Sequence, residues 1–282
     1  MSVLVIWYLL VSCSAIQITY STADWILLWK LDSYFDLSAS QEEYLDREIK
    51  NFHVWHRRHQ LPEYSQFLVQ IDQFWENGLS QAELETIFTS VDHFRILLAQ
   101  QASPPGAIFL STLTPAQIQH FQEVLDREHR QRVAKIGKNS DEHLTRRMDS
   151  ALAALTTWLG DMSVDQEASI QQWIAEFPDT ADVWLAHRKN RQSRLIELLL
   201  RSPDALSLKQ GLSDWLADSK AGGTPEYLLA SREWREGVQA IVLKIDQILT
   251  PKQRAHFSKK LQRLIRDIQD LVGPDSKYHQ VA

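Results

Sequence analysis

The chain has 282 residues, 44% of them hydrophobic and ten of them Trp, enough apolar surface for one large packed domain or two small ones. Nine Gly and nine Pro are well below average usage and disfavour a turn-rich β fold. The formal net charge is −6 with both signs mixed along the chain, so the concentrated basic face that nucleic acid requires is missing.

Residues Val3 to Val11 form an unbroken apolar run, followed by Ser12 and the single cysteine, Cys13. That run is shorter than the roughly twenty residues a bilayer span needs and fits the apolar stretch of a signal peptide. Only Met1 and Ser2 precede it, without the usual Lys or Arg, a departure that a start codon upstream of Met1 would explain. Leu10-Val11-Ser12-Cys13 resembles the lipobox of bacterial lipoproteins. The resemblance implies cleavage of residues 1–12, a diacylglyceryl group on the Cys13 sulfur and acylation of the new amino group. Three acyl chains anchor stably where one is marginal, since each buried CH₂ contributes about 0.8 kcal/mol. The implied partner is membrane lipid and the implied location is the cell envelope, facing the periplasm. Ser14, where an Asp would retain the protein at the inner membrane, implies the outer membrane by the sorting rule of enteric bacteria.

Residues 13–22 read as a lipidated polar tether, reaching no more than about 30 Å at about 3.3 Å per residue. Residues 23–282 read as one all-helical domain, with candidate sub-boundaries near 103–107 and 219–224. Trp25-Ile26-Leu27-Leu28-Trp29 opens it and suits either the lipid headgroup level or the protein core, with core the expectation. Beyond it, Leu84, Ile87, Val91, Phe94 and Leu98 step by three and four, as do Ile118, Phe121 and Leu125, and later Leu144, Met148, Leu152 and Leu155. Breakers fall at Gly78, Ser103-Pro104-Pro105-Gly106, Lys138-Asn139-Ser140, Gly160, Pro178, Ser202-Pro203 and Gly222-Gly223. The pattern is all-α, with about ten amphipathic helices in consecutive hairpins; a bundle and a short curved stack both remain open.

One local formula recurs at Leu37–Gln41, Leu79–Glu83, Leu113–Gln117, Met162–Gln166 and Leu249–Gln253, with a sixth candidate at Leu206–Gln210 that competes with a start at Ser202-Pro203. Ser or Thr caps the helix by accepting from the N3 amide, while Gln or Glu at N3 accepts from the N–H of the cap residue. Pro115 and Pro251 sit at N1, where a missing N–H costs nothing.

Boxes of the Leu-Thr-x-x-Gln form give a weak resemblance to the Spy and CpxP group of periplasmic helical proteins, which would imply a chaperone or a modulator of envelope-stress signalling. A closer one rests on Asp24-Trp25, Leu31-Asp32-Ser33-Tyr34-Phe35-Asp36-Leu37, Gln41 and Trp55-His56-Arg57-Arg58-His59-Gln60-Leu61-Pro62-Glu63-Tyr64. With the lipobox, these residues resemble an uncharacterised proteobacterial lipoprotein family known as domain of unknown function 6279. That resemblance implies a lipid-anchored helical envelope protein and no activity.

The densest polar cluster is His53, His56 and His59 with Glu63, beside Trp55, Arg57 and Arg58. Histidines three apart share a helix face, but all three span too much of a regular helix for one metal, and no His-Glu-x-x-His or Cys/His spacing supports them. Trp55, His56, Arg57, Arg58, Glu63 and Tyr64 are the candidate ligand or partner contacts. The competing expectation is a polar helix end with a turn at Leu61-Pro62. Trp184, His187 and Arg188 repeat part of this chemistry on a later helix. No Gly-x-Ser-x-Gly elbow or phosphate loop occurs, so no catalytic residue, metal or cofactor is assigned. The expected role is a non-enzymatic envelope protein that binds other proteins, with a small-ligand or metal-binding protein at Trp55-His56-Arg57, hydrolytic in one version, as the alternative.

Overall fold

The computed structural model describes residues 19–136, 140–201 and 204–273, so Cys13 and the signal-peptide stretch lie outside the described residues. The described chain holds eleven α-helices and one π-helical segment, with no strand among the described residues. In order these are α1 (Ala23–Phe35), α2 (Ala39–Trp55), the π segment (His56–Gln60), α3 (Leu61–Glu76), α4 (Gln81–Leu110) and α5 (Pro115–Ile136). Then follow α6 (Ser140–Leu159), α7 (Val164–Ala175), α8 (Ala181–Arg201), α9 (Ala205–Ala217), α10 (Pro225–Ile248) and α11 (Pro251–Val272). The fold is all-α. None of these helices is long and apolar enough to cross a membrane.

Five helix starts carry the expected capping box. Ser38, Ser80, Ser163 and Thr250 each accept from the N3 amide and receive the N3 side chain in return. Thr114 does the same with Gln117, at 3.2 and 3.0 Å. The sixth start differs: Asp204 caps α9 by accepting from the Ser207 amide, so Ser207 does not cap that helix, and Ser202-Pro203 lies outside the described residues.

Four of the box glutamines do more than cap. Gln41 and Gln117 exchange side-chain amide hydrogen bonds at 3.2 and 2.7 Å, as do Gln166 and Gln253 at 3.0 and 2.9 Å. Each also donates to the carbonyl two residues before its partner's cap residue. Gln41 reaches Thr112, Gln117 reaches Asp36, Gln166 reaches Ile248 and Gln253 reaches Asp161. Two interhelical turns are thus locked together, twice, by one repeated device: α1–α2 with α4–α5, and α6–α7 with α10–α11. The fifth box ends in Glu83, whose carboxylate has no N–H to donate, and it makes no such exchange.

Two main cores follow the two locks. Phe35, Leu45, Ile49, Ala107, Phe109, Phe121, Leu125, Leu195, Leu208 and Leu212 fill the first. Trp75, Leu159, Ile170, Ile174 and Ile245 fill the second, with Phe257 stacked on Trp75 at 4.1 Å. A stack in which each hairpin meets only its sequence neighbours would lack these pairings. Here α3 packs on α11 through Trp75 and Phe257. Glu128 of α5 meanwhile takes Lys30 of α1 and Arg188 of α8. The architecture is a bundle.

Two expected breaks are not breaks. The chain runs through Ser103-Pro104-Pro105-Gly106 inside α4, across the candidate boundary near 103–107. A helix-interior proline costs about 3 kcal/mol, but this stretch lies tightly against α9. Ala107 and Leu208 are each 1% exposed, and a Cβ on Gly106 would meet Leu212 at 3.0 Å. The Ser103 hydroxyl donates to the Ala99 carbonyl at 2.5 Å, and Tyr44 donates to the Pro105 carbonyl at 3.2 Å. The second is the turn expected at Leu61-Pro62. There α2 continues into α3 through the π segment, in which the Leu61 amide bonds to the His56 carbonyl five residues back. A π register inserts one residue and places Pro62 in the first turn of α3, where a proline nitrogen needs no acceptor.

Two expectations near the start are also corrected. Thr19 to Ser21 are helical, so this part of the segment expected as tether belongs to the folded body. Of the Trp25–Trp29 stripe only Leu28 packs on the core. Trp25 is 66% and Trp29 58% exposed, while the α1 residues facing the first core are Leu28, Leu31, Tyr34 and Phe35.

Candidate functional site

The candidate residues sit on and beside the π segment, His56–Gln60. Tyr20, assigned to the tether by sequence, comes back over this turn. Its ring meets His53 edge-on at 4.3 Å, and its hydroxyl lies 3.1 Å from His56 Nδ1. The Arg57 guanidinium covers the Tyr20 ring at 5.5 Å. On the other side His56 meets Tyr64 edge-on at 5.5 Å, and Tyr64 in turn meets Phe94 of α4 at 4.7 Å. Tyr20 and Tyr64 also pack on a small core of Leu61, Ile268 and Leu271, which ties the site to the end of α11.

Burial sets the protonation states here. It pushes the Tyr20 hydroxyl up to about 12 despite the opposing Arg57 charge, and Tyr64 up to about 12 as well. Burial, helped by the neighbouring His53, lowers His56 to about 4. His53 is lowered too, by burial and then by Arg57. Both imidazoles are therefore neutral at pH 7. His53 Nε2, Arg57 Nε and Gln60 Oε1 are buried without a hydrogen-bond partner among the described residues.

Of the six candidate residues, His56, Arg57 and Tyr64 come together, through Tyr20. Trp55 stands apart, packed on Phe52 at 5.4 Å and His59 at 6.3 Å. Arg58 and Glu63 are exposed and do not converge with the imidazole. Among the described residues no group of three or more His, Cys, Asp or Glu side chains is placed to hold a metal ion. Tyr20 thus occupies His56 Nδ1 and one face of the Arg57 guanidinium, while Arg57 Nε has no hydrogen-bond partner among the described residues.

Glu63 instead belongs to a groove of about 650 Å³ between α3 and α4. Phe67, Val69 and Phe94 supply apolar surface, and Gln66, Gln70, Gln73, Thr89, Ser90 and His93 supply amide, hydroxyl and imidazole groups. Sequence reading missed this surface because its two walls come from different helices. The exposed Val69, against the helical alternation, was the one signal available.

The later echo, Trp184-His187-Arg188, is scaffolding. His187 stacks on Tyr227 at 3.5 Å and hydrogen-bonds to the Ser219 carbonyl at 2.9 Å. Trp184 meets Tyr227 at 5.1 Å. Arg188 pairs with Glu128 at 3.0 Å. With Asn190 on the Gly222 carbonyl, α8 holds down the 218–224 connection.

A family model described as a family of unknown function (DUF6279) matches residues 33–228 of the chain. No curated protein and no solved structure matches it.

Proposed function

The chain belongs to the family of unknown function DUF6279, and from that premise we propose that it is a lipid-anchored, non-enzymatic protein of the cell envelope that binds another envelope protein. The observation that carries the binding role is the groove between α3 and α4. Its apolar floor at Phe67 and Phe94 and its amide-rich rim suit an extended or helical segment of a protein partner, burying apolar side chains while Gln66, Gln70 and Gln73 meet main-chain polar groups. At the His56–Arg57 cluster, Tyr20 takes His56 Nδ1 and its ring lies against the Arg57 guanidinium, which narrows the approach for a free ligand there. The anchor rests on Leu10-Val11-Ser12-Cys13, and the outer membrane is the proposed leaflet because Ser14 follows the acylated position.

The test is affinity capture from crosslinked envelopes, comparing the natural chain with a Val69→Arg/Gln73→Arg variant. Both positions are exposed, so folding is expected to survive. A partner captured by the natural chain and lost from the variant is expected; identical capture by both would sink the groove as its site. For the anchor, labelled palmitate should enter the natural protein and not Cys13→Ala.

A further inference from the structure

The exposed face of α1 has an unusual make-up. The N-cap Thr22 with Trp25 and Ile26, then Trp29 and Ser33, lie three or four residues apart along one side of the helix, all exposed, and none carries a charge. Trp25, Ile26 and Trp29 are 66%, 43% and 58% exposed, and Leu27 beside them is 43% exposed. Asp24, Lys30 and Asp32, the charged residues of α1, flank this stripe, and Asp24 accepts from the Trp25 amide at 2.9 Å. Lys30 reaches back to Glu128 at 3.5 Å and crosses the Tyr34 ring, and Asp32 accepts from the Leu37 amide. Two tryptophans one turn apart without a neighbouring core are costly in water, yet this face is held outward because Leu28, Leu31 and Phe35 occupy the opposite side.

We propose that this Trp25–Ile26–Trp29 face lies in the headgroup zone of the bilayer that holds the acylated Cys13, so that the body is docked on the membrane by α1 and not merely tethered to it. The inference rests on the lipid-anchor reading above and names the surface that meets the lipid. Chain length supports it. Six Cα steps separate Cys13 from Thr19, a span of at most about 20 Å, and the helix adds about 1.5 Å per residue from there to Trp25. Trp25 therefore stays within about 30 Å of the anchor and Trp29 within about 35 Å in every arrangement. Indole rings favour the boundary between acyl chains and water, where the ring is buried and the N–H stays wet. An uncharged stripe avoids the cost of taking ionised groups into that boundary.

The test uses the full acylated chain, with Cys13 blocked by lipid, reconstituted into phosphatidylethanolamine and phosphatidylglycerol vesicles. Ile26→Cys then supplies one free thiol for a nitroxide, and Leu206→Cys, 81% exposed at the start of α9, supplies the reference. The Ile26 label is expected to meet oxygen more readily and a water-soluble nickel chelate at least about threefold less readily than the Leu206 label. Equal chelate access at both positions overturns the docking. Shielding of the Ile26 label before vesicles are added, with the chain dimeric, also overturns it and assigns the face to a second copy.

Mass measurement of Cys13 in the same sample separates this from the anchor. An acylated Cys13 with a water-exposed Ile26 label ends the docking and keeps the anchor. In a Cys13→Ser background, vesicle binding that falls about tenfold in Trp25→Ala/Trp29→Ala keeps the docking without the anchor.

Discussion

Gln166 and Gln253 close two capping boxes and each other: the same side-chain oxygens that accept from the cap residues' N–H groups also accept the partner glutamine's amide, at 3.0 and 2.9 Å. Gln253 is 4% exposed, so removing its amide strands buried groups on both turns. Gln253→Ala is expected to cost about 2–3 kcal/mol, more than the roughly 1 kcal/mol of an ordinary cap. In urea unfolding, Gln166→Ala on top of it should add far less than its cost alone. Additive losses would mean the two turns are not locked.

Asp246 is 6% exposed and takes Arg254 at 2.7 Å, while its other oxygen accepts from the Leu79 amide at 3.1 Å. This one carboxylate thereby fastens the α3–α4 turn to the α10–α11 turn. Arg254→Ala leaves the carboxylate buried with one partner, and about 3 kcal/mol of stability should be lost. Calorimetry of the variant checks the figure, and a change below about 0.5 kcal/mol would show the pair to be decorative.

Acid should loosen the Tyr20 cluster before it unfolds the rest. His56 titrates near 4 in the folded chain because of burial and the adjacent His53, against about 6.5 when unfolded. The folded state thus binds fewer protons between these values. The stabilisation is complete above pH 6.5, declines as pH falls, and is gone below pH 4, for a total of about 3 kcal/mol. His56→Phe should reduce the pH dependence over that window, leaving the contributions of His53 and His187, which burial also lowers, with carboxylates such as Glu128 and Asp126 adding theirs as pH falls below about 4.5.

Tyr34 donates to Glu128 at 2.5 Å across α1 and α5. Burial first, then this carboxylate, pushes the phenol up to about 12. Burial opposes ionisation of Glu128 as well, but Tyr34, Lys30 and Arg188 together hold it below the usual range. Tyr34→Phe should cost about 2 kcal/mol and raise the Glu128 pKa, readable by NMR titration.

Pro104 withholds the amide that the Gln100 carbonyl would take inside α4. Pro104→Ala restores that bond but frees the unfolded chain, so a net gain of about 1 kcal/mol is expected in thermal melts. A loss would mean that the proline shape itself fits the α9 contact.

The sequence alone decided the helical class, most helix starts and the apolar faces, because caps and three-to-four spacing act over a few residues. Ser38, Ser80, Thr114, Ser163 and Thr250 needed no tertiary contact to be recognised. It went wrong where packing outweighs local preference. Pro104 and Pro105 stay helical in a stretch that packs on α9 at Gly106 and on Tyr44 of α2, and Pro62 is absorbed by a π turn. Likewise the Leu-Thr-x-x-Gln formula announced a cap but not that Gln41 would find Gln117, since a side-chain amide has donors to spare and only the assembled bundle supplies their acceptors. Of the candidate site, His56, Arg57 and Tyr64 were legible as a polar cluster, but Tyr20 was not, as nothing local tells a residue in an expected tether to turn back onto a helix. Whether Trp25 and Trp29 face inward was likewise settled by which side of α1 the first core could reach, and that depends on helices far along the chain.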